Sequence, residues 1–581
     1  MQTDKKIKLD LNENILEYLP LEILLKICSY LNGEDIKNLK LTCKHWNEIT
    51  EIPQVAGRLR LKLVLITSKS TREKVNFFQN SNQKFYDISL QRCNVDLLAS
   101  LFKIIGKETK ILTIEDCHFY SDDVLKDILN STRNIEILRI LHCSFNQCVI
   151  PKYDKVFENI KVLEILNKPV TKTKYGEVIN IIHNIGETNL SCFTMNYIYK
   201  IFREGNPSKI REFSQMVLKN HENLKELNLL DCCFVEEKFG VYFWECLMKC
   251  KLEKFSASHV PPNADSEKFM KFLISQKNLR YLKLVNIRSL TDDMMETLVS
   301  NLSDLREIEL LNCVNLTDKG VLYLKKLKEL NSLNITYHIA YEILENITIT
   351  SILNGIAQEK NHKLTELSLC NIKMTVDQLC QVIKNLPSLK KLKCESVKMM
   401  VQNEALEVSK ILSNNMFLSN LSFVNYKTNK EEVNICQNNR NIENRILNTL
   451  EVSYSESCRN ILRAIKLPNL RTLKVFYHDD RRQKDNGKDF VKALYNSSPA
   501  LEHISLTVMS DIDTILDFIF TSFKKLKSIQ FDWHCGDCRL YKRIHVKTNQ
   551  RLHPLLRKSP SGNFQFDETC ERCNNLFSKL Y

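Results

Sequence analysis

Glycine and proline are scarce in this 581-residue chain, with 12 of each. A Gly/Pro-rich linker protein is therefore excluded, and a hydrophobic content of 43% argues for a folded chain. No run of about 18 apolar residues occurs, which removes the signature of a membrane-spanning helix. The opening MQTDKKIKLDLNEN lacks an apolar signal region, so no secretory route is expected. Missing too are a Gly-rich phosphate loop, a His-Glu-x-x-His helix and a nucleophile elbow. Paired carboxylates such as Asp292-Asp293 sit where helix starts favour them, so no intrinsic active site and no cofactor are expected.

Cysteine, by contrast, is abundant. The 21 cysteines are scattered, and many recur at one position of a repeat, which favours reduced, buried thiols in a cytoplasmic or nuclear protein over a disulfide framework. The net charge of +14 comes from 83 basic and 69 acidic residues, well interspersed. It is compatible with nucleic acid, an anionic membrane surface or acidic protein partners, and equally with a solvated Lys-rich exterior.

Self-similarity dominates residues 85–534. The segments NLKELNLLDCCF and DLREIELLNCVNL share the template L-x-x-L-x-L-x-x-C. Phe85, Ile88, Leu90 and Cys93 fit it, as do Ile135, Leu138, Ile140 and Cys143; later copies such as Leu279, Leu282, Leu284 and Ile287 replace the Cys. About seventeen copies run from Phe85 to His534, mostly 23 to 34 residues apart. Alternate leucines on a short strand face one side, and the Cys closes the turn with a small apolar group. Intervening stretches such as TDDMMETLVSNLSDL carry Met294, Met295, Leu298 and Leu302 along one helical face, with Thr291 or Asp292 suited to cap it. The array resembles the cysteine-containing leucine-rich repeats. That resemblance implies an α/β solenoid, a horseshoe whose units stack into one continuous core. Leu61, Leu63 and Ile66 fit a leading strand one period earlier, and two polar loops, 428–444 and 478–489, interrupt the pattern.

Residues 15–50 differ from the array. Pro20 suits a first helical position and Glu22 the first turn, Ile23, Leu24, Ile27 and Leu31 form an apolar stripe, and Asn32-Gly33 ends the helix. A second helix is expected from Glu34-Asp35 through Ile36, Leu39, Cys43 and Trp46. Periodicity leaves open whether this hairpin is buried or presents a docking surface. The ordered Leu19-Pro20, Glu22, Ile23-Leu24, Ile27, Leu31 and Cys43-Lys44-His45-Trp46 resemble an F-box, with Thr42 where the family usually has Val. The resemblance implies docking on a Skp-family adaptor, and through it a cullin scaffold, by Leu19, Pro20, Ile23, Leu24, Ile27, Leu31, Cys43 and Trp46. It further implies a non-catalytic substrate-recognition subunit of an SCF-type ubiquitin ligase, directing protein targets to ubiquitination and proteasomal degradation. The alternative is a repeat scaffold that binds a partner without ligase recruitment.

The expected organisation is residues 1–14 flexible, an F-box at 15–52, the repeat array at 53–534 and a basic tail at 535–581. On the strand face away from the leucines, the last outward position is repeatedly apolar: Leu141, Leu166, Leu230, Val285, Leu311, Val424 and Phe476. These are the candidate target-binding residues, on the expectation of a contiguous exposed strip. At the next outward position Arg139, Lys283, Lys393 and Lys474 mix with Glu164, Glu309 and Glu451, which argues against a phosphate track.

The tail holds two Cys-x-x-Cys pairs, Cys535/Cys538 and Cys570/Cys573, able to place four thiolates around zinc, although the 31 intervening residues exceed the usual spacing. From Arg539 to Lys558 seven basic residues meet no acidic one, but Tyr541 stands alone where a nucleic-acid track would need aromatics interleaved throughout. A four-thiolate site predicts close to one equivalent of zinc in the purified chain, and less than about half an equivalent would count against it.

Overall fold

The computed structural model describes residues 19–31, 33–52, 55, 60–64, 78, 85–93, 95, 98–119, 122–145, 157–166, 188–196, 207–230, 237–260, 264–337, 347–358, 363–372, 374–396, 411, 417–425, 442–454, 465–477, 487–508, 519, 522–534 and 541–547. The chain divides into two compact units, 1–279 and 280–581.

The first unit begins with three short helices, α1 (Leu21–Tyr30), α2 (Gly33–Lys40) and α3 (Lys44–Glu51). The expected second helix through Trp46 is thus two helices. Thr42 causes the break: its N–H and hydroxyl both bond the Leu39 carbonyl, at 3.0 and 2.7 Å, closing α2. Cys43 then adopts an extended backbone, and its Sγ accepts from the Trp46 N–H at 3.5 Å to cap α3. Pro20 sits one residue before α1, and its carbonyl accepts from Ile23 and Leu24.

Eight parallel strands follow in this unit: β1 (Arg60–Val64), β2 (Asp87–Gln91), β3 (Ile111–Glu115), β4 (Ile137–Leu141), β5 (Val162–Leu166), β6 (Cys192–Asn196), β7 (Glu226–Leu230) and β8 (Lys254–Ser258). Each pairs with the next in register, so that Leu112, Leu138 and Leu163 form one row and Ile114, Ile140 and Ile165 another. Alternation buries these residues and leaves their neighbours half-buried. Helices Pro207–Lys219, Glu237–Leu247 and Ala264–Ser275 return the chain between the last strands. They contribute to an aromatic cluster in which Trp244 lies 4.8 Å from Phe269 and Phe255 lies 5.0 Å from Phe272.

The second unit repeats the plan with ten parallel strands: β9 (Tyr281–Val285), β10 (Glu307–Leu311), β11 (Ser332–Thr336), β12 (Glu366–Cys370), β13 (Lys391–Ser396), β14 (Asn420–Asn425), β15 (Thr449–Tyr454), β16 (Thr472–Tyr477), β17 (His503–Val508) and β18 (Ser528–His534). A final strand, β19 (Tyr541–Lys547), pairs antiparallel with β18 and covers its outer edge. This part of the basic tail is therefore strand. Gly487–Asp489, the end of an expected polar loop, opens the helix Gly487–Ser497. Both units are built as a leucine-rich-repeat solenoid.

Two devices join consecutive repeats. The residue after the strand, one before the Cys-equivalent position, is left-handed: Arg92, Asp116, His142, His259, Asn286, Asn312 and Asn371 all have φ between 51° and 58°. Asn, Asp and His tolerate this region better than most side chains. The conformation turns the N–H of Asp116 to the Leu141 carbonyl at 2.9 Å, of Asn286 to Leu311 at 2.8 Å and of Asn312 to Thr336 at 2.8 Å, each at the end of the next strand. The second device runs between helices. Thr291 caps its own helix, Asp292–Asn301, while Asp292 reaches forward to accept from the Thr317 N–H and hydroxyl at 2.8 and 2.6 Å and from the Gly320 N–H at 3.0 Å. Asp318 does the same to Thr348, at 2.7 and 2.8 Å. A side chain on Gly320 would collide with Asp292 and Leu316.

Asp292→Ala removes a charged acceptor shared by three donors, and should cost about 2–3 kcal/mol in denaturant unfolding. Asn312→Val should cost about 1–2 kcal/mol more than Asn312→Gly, because only the glycine relieves the left-handed backbone.

Candidate functional site

Two surfaces qualify. The first is on the N-terminal module, whose core consists of Leu24, Cys28, Ile36, Trp46, Ile49 and Val55, with Leu19, Leu25, Leu31, Leu39, Cys43 and Ile52 packed against it. The eight residues named from the resemblance therefore divide. Leu24 is 2% and Trp46 5% exposed, so both belong to the module's interior; Leu19, Leu31 and Cys43 are half-buried. Pro20, Ile23 and Ile27 are exposed, the last two at 46% and 37%. Tyr30, three residues beyond Ile27, extends the same helical stripe and is 79% exposed. Leu21 and Leu41 are also exposed. Sequence reading missed Leu21, Tyr30 and Leu41; the i, i+4, i+7 spacing of Ile23, Ile27 and Tyr30 was the available signal.

This stripe stands on a closed core, because α1 buries its opposite face through Leu24 and Cys28. It is a fully formed helix whose second apolar face is left exposed. Its chemistry is burial of aliphatic and aromatic surface, at roughly 25 cal/mol per Å² removed from water.

The second surface is the strand face opposite the leucines. Leu141, Leu166, Leu230, Val285 and Leu311 lie there, half-buried. Val424 and Phe476 lie on β14 and β16, with their side chains outside the described residues. The strip is not continuous. Leu141 pairs with Leu166 and Val285 with Leu311, but Leu230 pairs with Asn196, and from Leu311 the row passes through Thr336, Cys370 and Glu395 before Val424.

The mixed charges of the neighbouring row resolve into pairs across strands. Arg139 donates to Glu164 at 3.0 Å, Lys283 lies 3.0 Å from Glu309, and Lys474 donates to Glu451 at 2.5 Å. Lys393 pairs with Glu395 on its own strand at 3.0 Å. Burial pulls the Lys393 pKa down, but the bond and charge of Glu395 more than offset this and hold it above the ordinary lysine value. In the second unit this face encloses a hollow of about 360 Å³ across β10–β15, floored by small polar residues that include Asn334, Ser368 and Ser422.

The buried thiols of the repeats are not activated. Burial pushes Cys143 and Cys313 up to about 12, and Cys117 is raised by its bond with Cys93 and by burial. These thiols stay protonated at neutral pH, the opposite of an activated nucleophile. Among the described residues no cluster of His, Cys, Asp and Glu could hold a metal. Cys535, Cys538, Cys570 and Cys573 lie outside the described residues.

Residues 16–62 match the family model described as F-box-like. No curated protein matches the chain. Among solved structures, the Rad7–Elc1 complex in yeast is similar at 12% identity and a TM-score of 0.32, covering 84% of this chain and 86% of that one. An internalin (InlF) from Listeria monocytogenes strain 4b F2365 is similar at 12% identity and a TM-score of 0.30, covering 80% and 93%.

The split between interior and stripe is testable by stability. Leu24→Ala should destabilise the module by about 2–5 kcal/mol, as a cavity in a small core does. Tyr30→Ala, on the exposed stripe, should stay within about 0.5 kcal/mol. Hydrogen exchange at the amides of α1 to α3 under increasing denaturant reads both, because it reports the module separately from the repeats.

Proposed function

We propose that this chain, an F-box-like domain joined to a leucine-rich-repeat solenoid, is the substrate-recognition subunit of an SCF-type ubiquitin ligase. The observation that carries this reading is the exposed Ile23, Ile27 and Tyr30 stripe on a module whose own core is complete, within the segment that matches the F-box-like model. The stripe docks a Skp-family adaptor, which links the chain to a cullin. The strand face opposite the leucines holds a target protein, leading to its ubiquitination and degradation in the cytoplasm or nucleus.

The ubiquitin-transfer chemistry then belongs to partner subunits. This chain contributes proximity, converting an encounter between a target lysine and an activated thioester into a reaction within one assembly. The raised thiol pKa values support this division, since they leave no activated sulfur among the shifted cysteines of the described residues. No cofactor is assigned to that role.

Charge placed on the stripe tests the reading. Ile23→Asp combined with Ile27→Asp should lower adaptor capture by the full chain at least about tenfold, since apolar anchors at an interface centre commonly contribute more than 1 kcal/mol each. The thermal unfolding midpoint should stay unchanged, because neither side chain is in the core. Wild-type adaptor capture by this variant would overturn the proposal.

A further inference from the structure

The hollow across β10–β15 lies within the second unit and was not visible in the repeat pattern. Its lining is unusual for its charge state. Every carboxylate among its described lining residues is already engaged: Glu309 by Lys283 and by the Tyr281 hydroxyl at 2.8 Å, Glu366 by Lys391, and Glu451 by Lys474. The two lining lysines are engaged as well, Lys391 by Glu366 and Lys393 by Glu395. Four lysines and four glutamates thus neutralise one another before any ligand arrives.

Between these pairs lie uncharged hydrogen-bonding side chains from successive strands: Ser332, Asn334, Ser368, Asn420, Ser422 and Thr449. Asn334 is partly committed, accepting from the Thr336 hydroxyl at 2.8 Å. Ser422 is not. It is 8% exposed, lines the hollow, and its Oγ finds no hydrogen-bond partner among the described residues. A buried hydroxyl without a partner is costly, and proteins rarely retain one without a reason such as a ligand or a bound water. Among the described lining residues none is aromatic, so they offer a sugar ring no stacking surface.

We propose that this hollow seats an uncharged, extended polypeptide segment rich in Ser, Thr, Asn or Gln, and that Ser422 Oγ is one of its hydrogen-bond partners. The assignment to a polypeptide rests on the target-binding reading above. The volume is within the range of about 300–1,000 Å³ typical of ligand sites and accommodates a few residues. A phosphorylated or acidic segment is disfavoured: to meet a cation it must break an existing Lys–Glu pair and leave the carboxylate facing its own charge. The same pairs oppose a basic segment for the mirror-image reason. Specificity here comes from refusing charge as much as from the contacts offered.

The test is an array of synthetic dodecapeptides probed with the purified full chain, without adaptor. Neutral Ser/Thr/Asn/Gln-rich peptides should bind, and their phosphoserine and aspartate versions should bind at least about tenfold more weakly, given the several-kcal/mol cost of like-charge juxtaposition. Ser368→Trp, which fills the hollow, should abolish binding. Ser422→Ala should weaken binding about threefold or more, the worth of one hydrogen bond, while leaving the unfolding midpoint unchanged or raised because the hydroxyl has no partner among the described residues. Tighter binding of the phosphorylated peptides, binding indifferent to both variants, capture of oligosaccharides on a parallel glycan array in place of peptides, or no peptide bound would each overturn the proposal. Adaptor capture is a separate measurement. A chain that binds adaptor but no neutral peptide refutes only the hollow, and one that binds peptide but no adaptor refutes only the ligase reading.

Discussion

Each repeat depends on its neighbour for two things it cannot supply itself: a cover for its leucine face and an acceptor for the N–H that follows its strand. The strands of five to seven residues are too short to form a core alone, and in-register pairing such as Leu112 on Leu138 on Leu163 makes each strand's apolar face part of the next one's environment. The left-handed residue after the strand fixes the spacing. Its N–H must meet the last carbonyl of the following strand, so a slip of one residue would both orphan that bond and turn the leucines outward. The forward-reaching Asp292 and Asp318 add the same dependence on the helical side. The solenoid is thus held by bonds that run from one repeat to the next.

That commitment determines what the opposite face can be. With one set of alternate residues used for the core, only the other set is available for recognition, and parallel in-register pairing places those residues in rows across strands. Charges in such rows sit beside charges, which is why lysines and glutamates on adjacent strands pair rather than forming a patch of one sign. Exposed pairs of this kind add little stability, about 0–1 kcal/mol each. Their larger effect is on selectivity, because they leave a face with almost no net charge despite the +14 of the whole chain.

Much of this was legible in the sequence because it depends on a period of two and a period of about 25 residues. The rows of leucines, the buried cysteines and the capping role of Thr291 follow from spacing and residue type. The left-handed positions were harder. Arg92, Asp116, His142 and Asn312 share no chemistry beyond tolerance of positive φ, and only alignment against the Cys position reveals that they occupy one site. The break at Thr42 was hidden because the apolar spacing of Ile36, Leu39, Cys43 and Trp46 continues through it, and periodicity does not register a turn that preserves phase. The hollow was invisible for another reason: it is made by small residues, and sequence patterns advertise bulk.

The module shows where periodicity reaches its limit. On α1 two stripes are both apolar, Leu24 with Cys28 and Ile23 with Ile27, so sequence alone cannot say which faces inward. The fold decides it through α2 and α3, because Ile36, Trp46 and Ile49 can close on only one side of α1. Once Leu24 and Trp46 are spent on that core, Ile23, Ile27 and Tyr30 have no remaining role within the described module that would justify exposing them to water. A helix of ten residues is marginal in isolation and is stabilised here by its buried stripe. The exposed stripe adds nothing to that stability, and an apolar stripe left open on a closed module is the kind of surface on which the proposed docking rests.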